Sequence, residues 1–146
     1  MSHVNHMSYS QIIGNLWVGS APPIGLDLSK KFDCLVLAAF EYQPKNVFPN
    51  VEVIYAPIDD NIPTIDELGI VIRTAGRIIT RLRNGKRVLV TCRMGLNRSA
   101  IMAAVAMCMG QHNLTPLQAV KLMRQARGPL ALCNKHFVQF LNQFCK

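Results

Sequence analysis

A cysteine and an arginine six positions apart, Cys92 and Arg98, stand in the segment Val88-Leu-Val-Thr-Cys92-Arg-Met-Gly95-Leu-Asn-Arg98-Ser99, the pattern CxxGxxRS, directly after a short apolar run. Arg87 to Thr91 reads as a buried strand and Ser99 to Met109 as a buried helix, so the residues between them lead from a strand end to a helix start. In such a loop the free N–H groups of residues 93 to 98 can curl around an anion, helped by the positive end of the helix dipole. Gly95 permits the backbone conformation that the curl needs. A thiol at the base of this nest loses its proton more easily than a free one, because the charged form is the one stabilised. Arg98 adds a planar fork that matches two phosphate oxygens. The chemistry favoured is nucleophilic attack of Cys92 on phosphorus, with Arg93, Met94, Gly95, Leu96, Asn97 and Arg98 binding the phosphate and a cysteinyl phosphate as intermediate.

Expelling an alcohol or phenol oxygen from phosphorus needs a proton donor, and hydrolysis of the intermediate needs a base. Asp59 and Asp60 are the candidates. They lie in Pro57 to Pro63, which, like Cys92, follows a strand; ligands of α/β sheets bind beyond the carboxyl ends of strands. Asp66 and Glu67 fall in the first turn of the next helix, where capping and the dipole explain acidic residues. Spacing alone does not separate Asp59 from Asp60.

The elements that must position these groups are legible as alternating strands and helices. Ile12 to Val18 reads as two short strands around Gly14-Asn15, Phe32 to Ala39 as an apolar strand of the parallel type, and Val51 to Ala56 as another. Thr64 and Glu67 form a capping box ahead of a helix with the stripe Leu68, Ile72, Ala75, Ile79 and Leu82, ended by Asn84-Gly85. Thr115-Pro116-Leu117-Gln118 starts a further helix that runs to Arg127 and stops at Gly128-Pro129. Asn134 caps the last one, whose stripe is Phe137, Phe140, Leu141 and Phe144. The expected fold is a single α/β domain over residues 9 to 146. Its central, twisted, mostly parallel sheet has about four or five strands, flanked by helices on both faces.

Composition bounds the remainder. A chain of 146 residues, 50% apolar, suffices for one domain with a core of its own. No run approaches the length of a membrane span and no apolar leader opens the chain, so a cytoplasmic protein without a membrane span is expected. Five cysteines, an odd number, fit a reducing compartment. Cys34, Cys108, Cys133 and Cys145 are read as packing residues, and His112 and His136 as structural. No spacing suggests a metal, and no cofactor is expected. Met1 to Ser8, with His3 and His6, reads as a polar tail. The net charge of +8 favours anionic partners in general, among them phosphoproteins and RNA. Much of it sits at Arg73, Arg77, Arg81, Arg83, Lys86 and Arg87, along a helix face and its exit.

Over nearly its whole length the chain resembles dual-specificity phosphatases, of the superfamily of cysteine-based protein tyrosine phosphatases. Ile13-Gly-Asn-Leu-Trp-Val-Gly19 resembles the family's opening strands, Ala56-Pro-Ile-Asp-Asp60 its acid loop, and Cys92 to Ser99 its signature loop. Ala119 through Arg127, then Asn134, Phe137 and Leu141, are similar to its closing helices. The resemblance implies that Asp60 is the general acid and that Ser99 donates a hydrogen bond easing departure of the sulfur. It implies that Asn134 braces the loop, and that the substrate is a phosphorylated protein met in a shallow pocket open to phosphotyrosine, phosphoserine and phosphothreonine. A monomer is expected. Low-molecular-weight relatives carry the loop before the acid, the reverse of this order, and classical tyrosine-specific domains are much longer. Two departures stand out. Thr91 occupies the place of the family's usual His, and Gly95-Leu-Asn-Arg98 also resembles the loop of RNA 5′-phosphatases. That second likeness makes 5′-triphosphate or diphosphate RNA the alternative substrate, the one reading with a nucleic-acid partner. A phosphoinositide is weaker still, since the loop lacks paired lysines.

Overall fold

A computed structural model describes residues 7 to 145. The expectations for His3 and His6 lie outside the described residues. Tyr9–Ile13 (β1) and Leu16–Gly19 (β2) pair antiparallel around Gly14-Asn15, and Gly14 takes the positive φ of 52° that this tight turn requires. Cys34–Leu37 (β3), Glu52–Tyr55 (β4) and Val88–Thr91 (β5) complete a five-stranded sheet in the order β1-β2-β5-β3-β4, parallel except for β1. Four helices follow the strands: Ile65–Arg83 (α1), Arg98–Met109 (α2), Pro116–Arg127 (α3) and Lys135–Phe144 (α4). The domain is therefore α/β with a mostly parallel sheet, as the alternation of elements leads one to expect. No described helix is long and apolar enough to cross a membrane.

The pairing register matters most for the site. Gly19, Thr91, Leu37 and Tyr55 stand level across β2, β5, β3 and β4, each the last residue of its strand. The four segments that follow them consequently leave the sheet along one edge, which is how Cys92 comes to share a rim with residues 38–43 and 56–63.

The cover of the sheet corrects one expectation. All four helices pack on the same face, against Leu16, Val18, Val36, Ile54, Val88 and Val90. The opposite face carries Leu35, Leu37 and Leu89 and is closed by Leu28, Phe32 and Phe48 from irregular segments, with Tyr9 and Trp17 edge-on or tilted around Phe32. Pro22, Pro23, Gly25, Pro44 and Pro49-Asn50 interrupt those segments, so they cover the sheet as turns. α2 is the central helix. Every residue from Arg98 to Cys108 is buried, and four alanines let its backbone approach the sheet and α1 closely. The buried line of α1 runs Val71, Thr74, Ala75, Ile78 and Leu82, while Leu68, Ile72 and Ile79 of the expected stripe flank it. The capping boxes of α1 and α3 form as read, each with both reciprocal bonds.

At the opposite end of the sheet Asp33 ties β3 to β5. Its carboxylate accepts from Arg87 N at 2.8 Å, Nε at 3.1 Å and Nη2 at 3.1 Å. These bonds from Arg87 hold Asp33 well below the usual carboxylate range, at about 2. A lowered folded-state value means the contribution is fully present above the unfolded value near 4 and is lost as pH falls towards 2. Both side chains are about a third or more exposed, so Asp33→Asn should cost only about 1 kcal/mol or less near neutrality. Urea denaturation of the two proteins from pH 7 to pH 2 should show a constant gap that closes below pH 4; a gap that persists at pH 2 contradicts the assignment.

Candidate active site

Thr91 ends β5 and Arg98 opens α2, so Cys92 to Asn97 must reverse the chain within six residues. Gly95 makes this possible with φ of 70°, and it passes so near β2 that an added Cβ would lie 2.6 Å from the Gly19 carbonyl oxygen. Cys92 Sγ accepts from Gly95 N at 3.3 Å and stands 3.1 Å from Oγ of Ser99, the second residue of α2. Among the described residues no protein acceptor is bonded to the N–H groups of Arg93, Met94, Leu96, Asn97 or Arg98. α2 has no acidic residue in its first turn, and the Asn97 side chain does not cap it. The positive end of the helix is thereby left for an anion.

The carbonyls of Arg93 to Asn97 are all engaged by other elements. Arg93 O accepts from Ala21 N, Met94 O from Arg127 Nη2 at 3.1 Å, Gly95 O from Arg127 Nε at 3.0 Å, Leu96 O from Leu132 N at 2.7 Å, and Asn97 O from Ile101 N at 2.8 Å. Arg127, half-buried at the end of α3, also reaches the hydroxyls of Ser8 and Ser10. Burial lowers its affinity for a proton, an effect opposed by the Cys92 sulfur.

Arg98 is 7% exposed. Its Nη1 donates to the Glu41 carboxylate and, at 3.4 Å, to Ile58 O, while its Nε is buried with no acceptor among the described residues. A charged donor left unmatched inside the fold is costly, and an oxyanion in the loop would match it.

Of the two aspartates, Asp60 is the one brought against the loop. Its carboxylate accepts from Asn97 Nδ2 at 3.1 Å and from Asn134 Nδ2 at 2.9 Å. Asp59 is held through its backbone instead, donating to Glu67 at 2.7 Å. Glu67, read as a capping residue, therefore also anchors the acid loop. Asn134 both caps α4 through His136 N and donates to Asp60 and Asn61 O. Arg93 is exposed, with its guanidinium 5.2 Å from the Tyr42 ring, and Met94 is exposed beside it, whereas Leu96 packs against the core.

Thr91 is fully buried. Its hydroxyl donates to Val36 O at 2.8 Å and accepts from Gln43 Nε2 at 2.6 Å, and Gln43 Oε1 accepts from Ala39 N at 2.9 Å. Glu41, Gln43 and Arg127 were not singled out from the sequence. The one available signal was polarity: Glu41 and Gln43 follow directly on the apolar run of β3, at the carboxyl end where ligands collect.

Among the other cysteines, burial pushes the thiols of Cys34 and Cys108 up to about 12, so they stay protonated near neutrality. Cys133 is not a packing residue as expected; it is exposed in the turn before α4, where its sulfur accepts from Asn97 Nδ2 at 3.4 Å. Among the described residues no group of His, Cys, Asp or Glu is placed to hold a metal ion.

Comparison with known proteins accords with this geometry. Residues 16–146 match the family described as dual specificity phosphatase, catalytic domain, and the chain belongs to that family. Among solved structures it is similar to human DUSP28, at 24% identity and a TM-score of 0.81, over 94% of this chain and 92% of that one. A mouse putative dual specificity phosphatase, solved as a complex with zinc tungstate, matches at 23% identity and a TM-score of 0.76, over 99% and 92% of the two chains. PTPMT1, solved in complex with PI(5)P, matches at 20% and 0.67, over 94% and 99%. At such identities these neighbours speak for the fold. No curated protein sequence matches the chain.

The Gln43 bridge is testable on its own. Gln43→Leu keeps the volume but leaves Ala39 N–H buried without an acceptor and removes a donor from Thr91. Stability should fall by about 1–3 kcal/mol. Chemical denaturation measures it, and a loss below about 0.5 kcal/mol, the level of an ordinary surface substitution, would show that the bridge holds nothing.

Proposed function

We propose that the protein hydrolyses phosphotyrosine, and with it phosphoserine and phosphothreonine, in phosphorylated proteins by a two-step covalent mechanism. One observation carries the reading above all: the Cys92 sulfur accepts from the Gly95 N–H next to the Ser99 hydroxyl, in a loop that ends at Arg98, whose buried Nε is left unmatched among the described residues.

In the first step the Cys92 thiolate attacks phosphorus, the S–P bond forms and the ester P–O bond breaks. The loop N–H groups and Arg98 hold the equatorial oxygens as their charge redistributes. Arg98 is fixed for this by Glu41 and the Ile58 carbonyl, so little reorganisation is needed at the moment of reaction. Asp60 gives its proton to the leaving oxygen. In the second step Asp60 takes a proton from water, the water oxygen bonds to phosphorus, and the S–P bond breaks to release phosphate and the thiolate. Ser99 Oγ, 3.1 Å from the sulfur, donates to the departing thiolate and makes it a better leaving group. Charge on the phosphoryl group is met wholly by protein donors, so the reading invokes no metal.

The RNA reading draws on Leu96-Asn97 and on the basic charge of the chain. Leu96 packs against the core and Asn97 is bonded to Asp60, Cys133 and Asn134, so both residues have structural work that involves no substrate. That weakens the first of these two supports for the RNA alternative.

Cys92→Ser should abolish turnover of p-nitrophenyl phosphate while the variant still binds a phosphotyrosine peptide. Activity near the wild-type level would sink the covalent mechanism. Asp60→Asn should lower kcat by about 10²–10⁴-fold on alkyl phosphates such as phosphoserine peptides, whose leaving group most needs the proton. Equal losses with p-nitrophenyl phosphate, whose leaving group needs little help, would argue that Asp60 only shapes the loop.

A further inference from the structure

A groove leaves the active-site rim between the end of β4 and the outer face of α1. It is lined by Phe40, Tyr55, Pro57, Ile70, Arg73 and Arg77. Both walls run into the catalytic machinery. Phe40 precedes Glu41, which accepts from Arg98, and Pro57 precedes Ile58, whose carbonyl also accepts from Arg98. The near end of the groove therefore lies within two residues of two contacts of the phosphate-binding arginine.

Two features of its lining are unusual for a solvated surface. Phe40 is 58% exposed and Tyr55 41% exposed, side by side on one wall. On the other wall Arg73 and Arg77 are exposed, one helical turn apart, and neither is in an ion pair among the described residues. Arg81, the next basic residue of that face, is by contrast held by Glu52 at 2.6 Å. Lys45 lies 5.4 Å from the Tyr55 ring and adds a third positive charge at the rim. An apolar wall facing guanidinium groups that are in no ion pair among the described residues is complementary to an extended chain that carries carboxylates along with an apolar side chain. In a protein of net charge +8 with a surplus of cations, the complementary partner is acidic.

We infer that this groove docks an acidic segment of the phosphoprotein substrate, a few residues from the phosphorylated side chain. The inference rests on the protein-phosphatase reading and adds to it a preference for sites flanked by Asp or Glu. An extended peptide advances about 3.3–3.6 Å per residue, so a carboxylate two to five positions from the phosphoresidue spans the groove while phosphate stays in the loop. Phe40 and Tyr55 exclude water from one side of the docked chain and thereby strengthen the guanidinium–carboxylate contacts on the other.

The test uses phosphotyrosine peptides that differ only in a Glu-Glu or Ser-Ser pair, placed in turn two to five residues before or after the phosphotyrosine. Their binding to Cys92→Ser protein is measured by fluorescence anisotropy at 50 and 300 mM salt. At one side and spacing the acidic peptide should bind about tenfold more tightly than its Ser-Ser partner at low salt, and the advantage should shrink at high salt. Arg73→Gln with Arg77→Gln should remove that advantage. An advantage that is the same at every placement, or that survives the double substitution, would reflect net charge alone and overturns the groove. So does a short single-stranded RNA that binds more tightly than the acidic peptides and depends on the same two arginines. Turnover of p-nitrophenyl phosphate by the unsubstituted protein is followed in parallel. Its absence refutes the phosphatase reading, while the peptide anisotropies decide the groove independently.

Discussion

The constraint on which the rest of the structure turns is an accounting of backbone groups between Cys92 and Arg98. Five residues, Arg93 to Asn97, that turn their N–H groups towards one point must turn their carbonyls away from it, and a buried carbonyl without a donor is costly. Those five carbonyls are met from four parts of the chain: Ala21 after β2, Arg127 at the end of α3 for two of them, Leu132 in the turn before α4, and α2 itself. The anion nest is thus a property of the whole domain. Removing any one donor would release a carbonyl, and the freed backbone would rotate its own N–H out of the ring. Leu132 illustrates how much is invested: it is buried, adopts a positive φ of 57° that a branched side chain disfavours, and donates the shortest of these bonds.

A second network holds the residue before Cys92, the proposed nucleophile. Thr91, the last residue of β5, uses its hydroxyl to join β3 and the segment after it through Val36 and Gln43. With Thr91 donating to Val36, the bonding capacity of this position is directed sideways into the sheet. The segment it secures is the one that carries Glu41, and Glu41 fixes Arg98. The two chemical groups of the loop are consequently tied to one segment, which Thr91 holds through the buried Gln43 and which carries the exposed Glu41 that accepts from Arg98.

Much of this was legible from residue order, and the reasons differ by feature. The CxxGxxRS loop was readable because it is local: strand, turn glycine and helix start lie within twelve residues, and their geometry follows from backbone rules. The capping boxes Thr64–Glu67 and Thr115–Gln118 were readable for the same reason. The cover of the sheet was not, because Leu35, Leu37 and Leu89 are buried on the face without helices by Leu28, Phe32 and Phe48, and an apolar strand looks alike whether a helix or a turn covers it. Glu41, Gln43 and Arg127 escaped because the residues they hold at the site, Arg98, Thr91 and Gly95, lie 57, 48 and 32 residues away. A polar side chain shows in a sequence only its capacity to bond, never with what.

Asp60 and Asn97 show how the proposed acid becomes part of the same device. The segment after β4 is tied down at successive residues: Ile58 N to Ala38 O, Ile58 O to Arg98, Asp59 N to Glu67, and the Asp60 carboxylate to Asn97 and Asn134. Asn97 belongs to the phosphate loop and Asn134 to the start of α4, and Asn97 Oδ1 accepts from Asn134 N at 2.9 Å. The two amides thereby join loop, acid and last helix into one hydrogen-bonded triangle. A proposed acid tethered in this way is presented to the loop before substrate arrives, so its alignment is met during folding and not drawn from binding energy at each turnover. The same tether limits what the enzyme can do to adapt to different leaving groups. Discrimination must then come from surfaces beyond the triangle, where Arg93, Met94 and Tyr42 on one side and the groove of Arg73 and Arg77 on the other stand exposed.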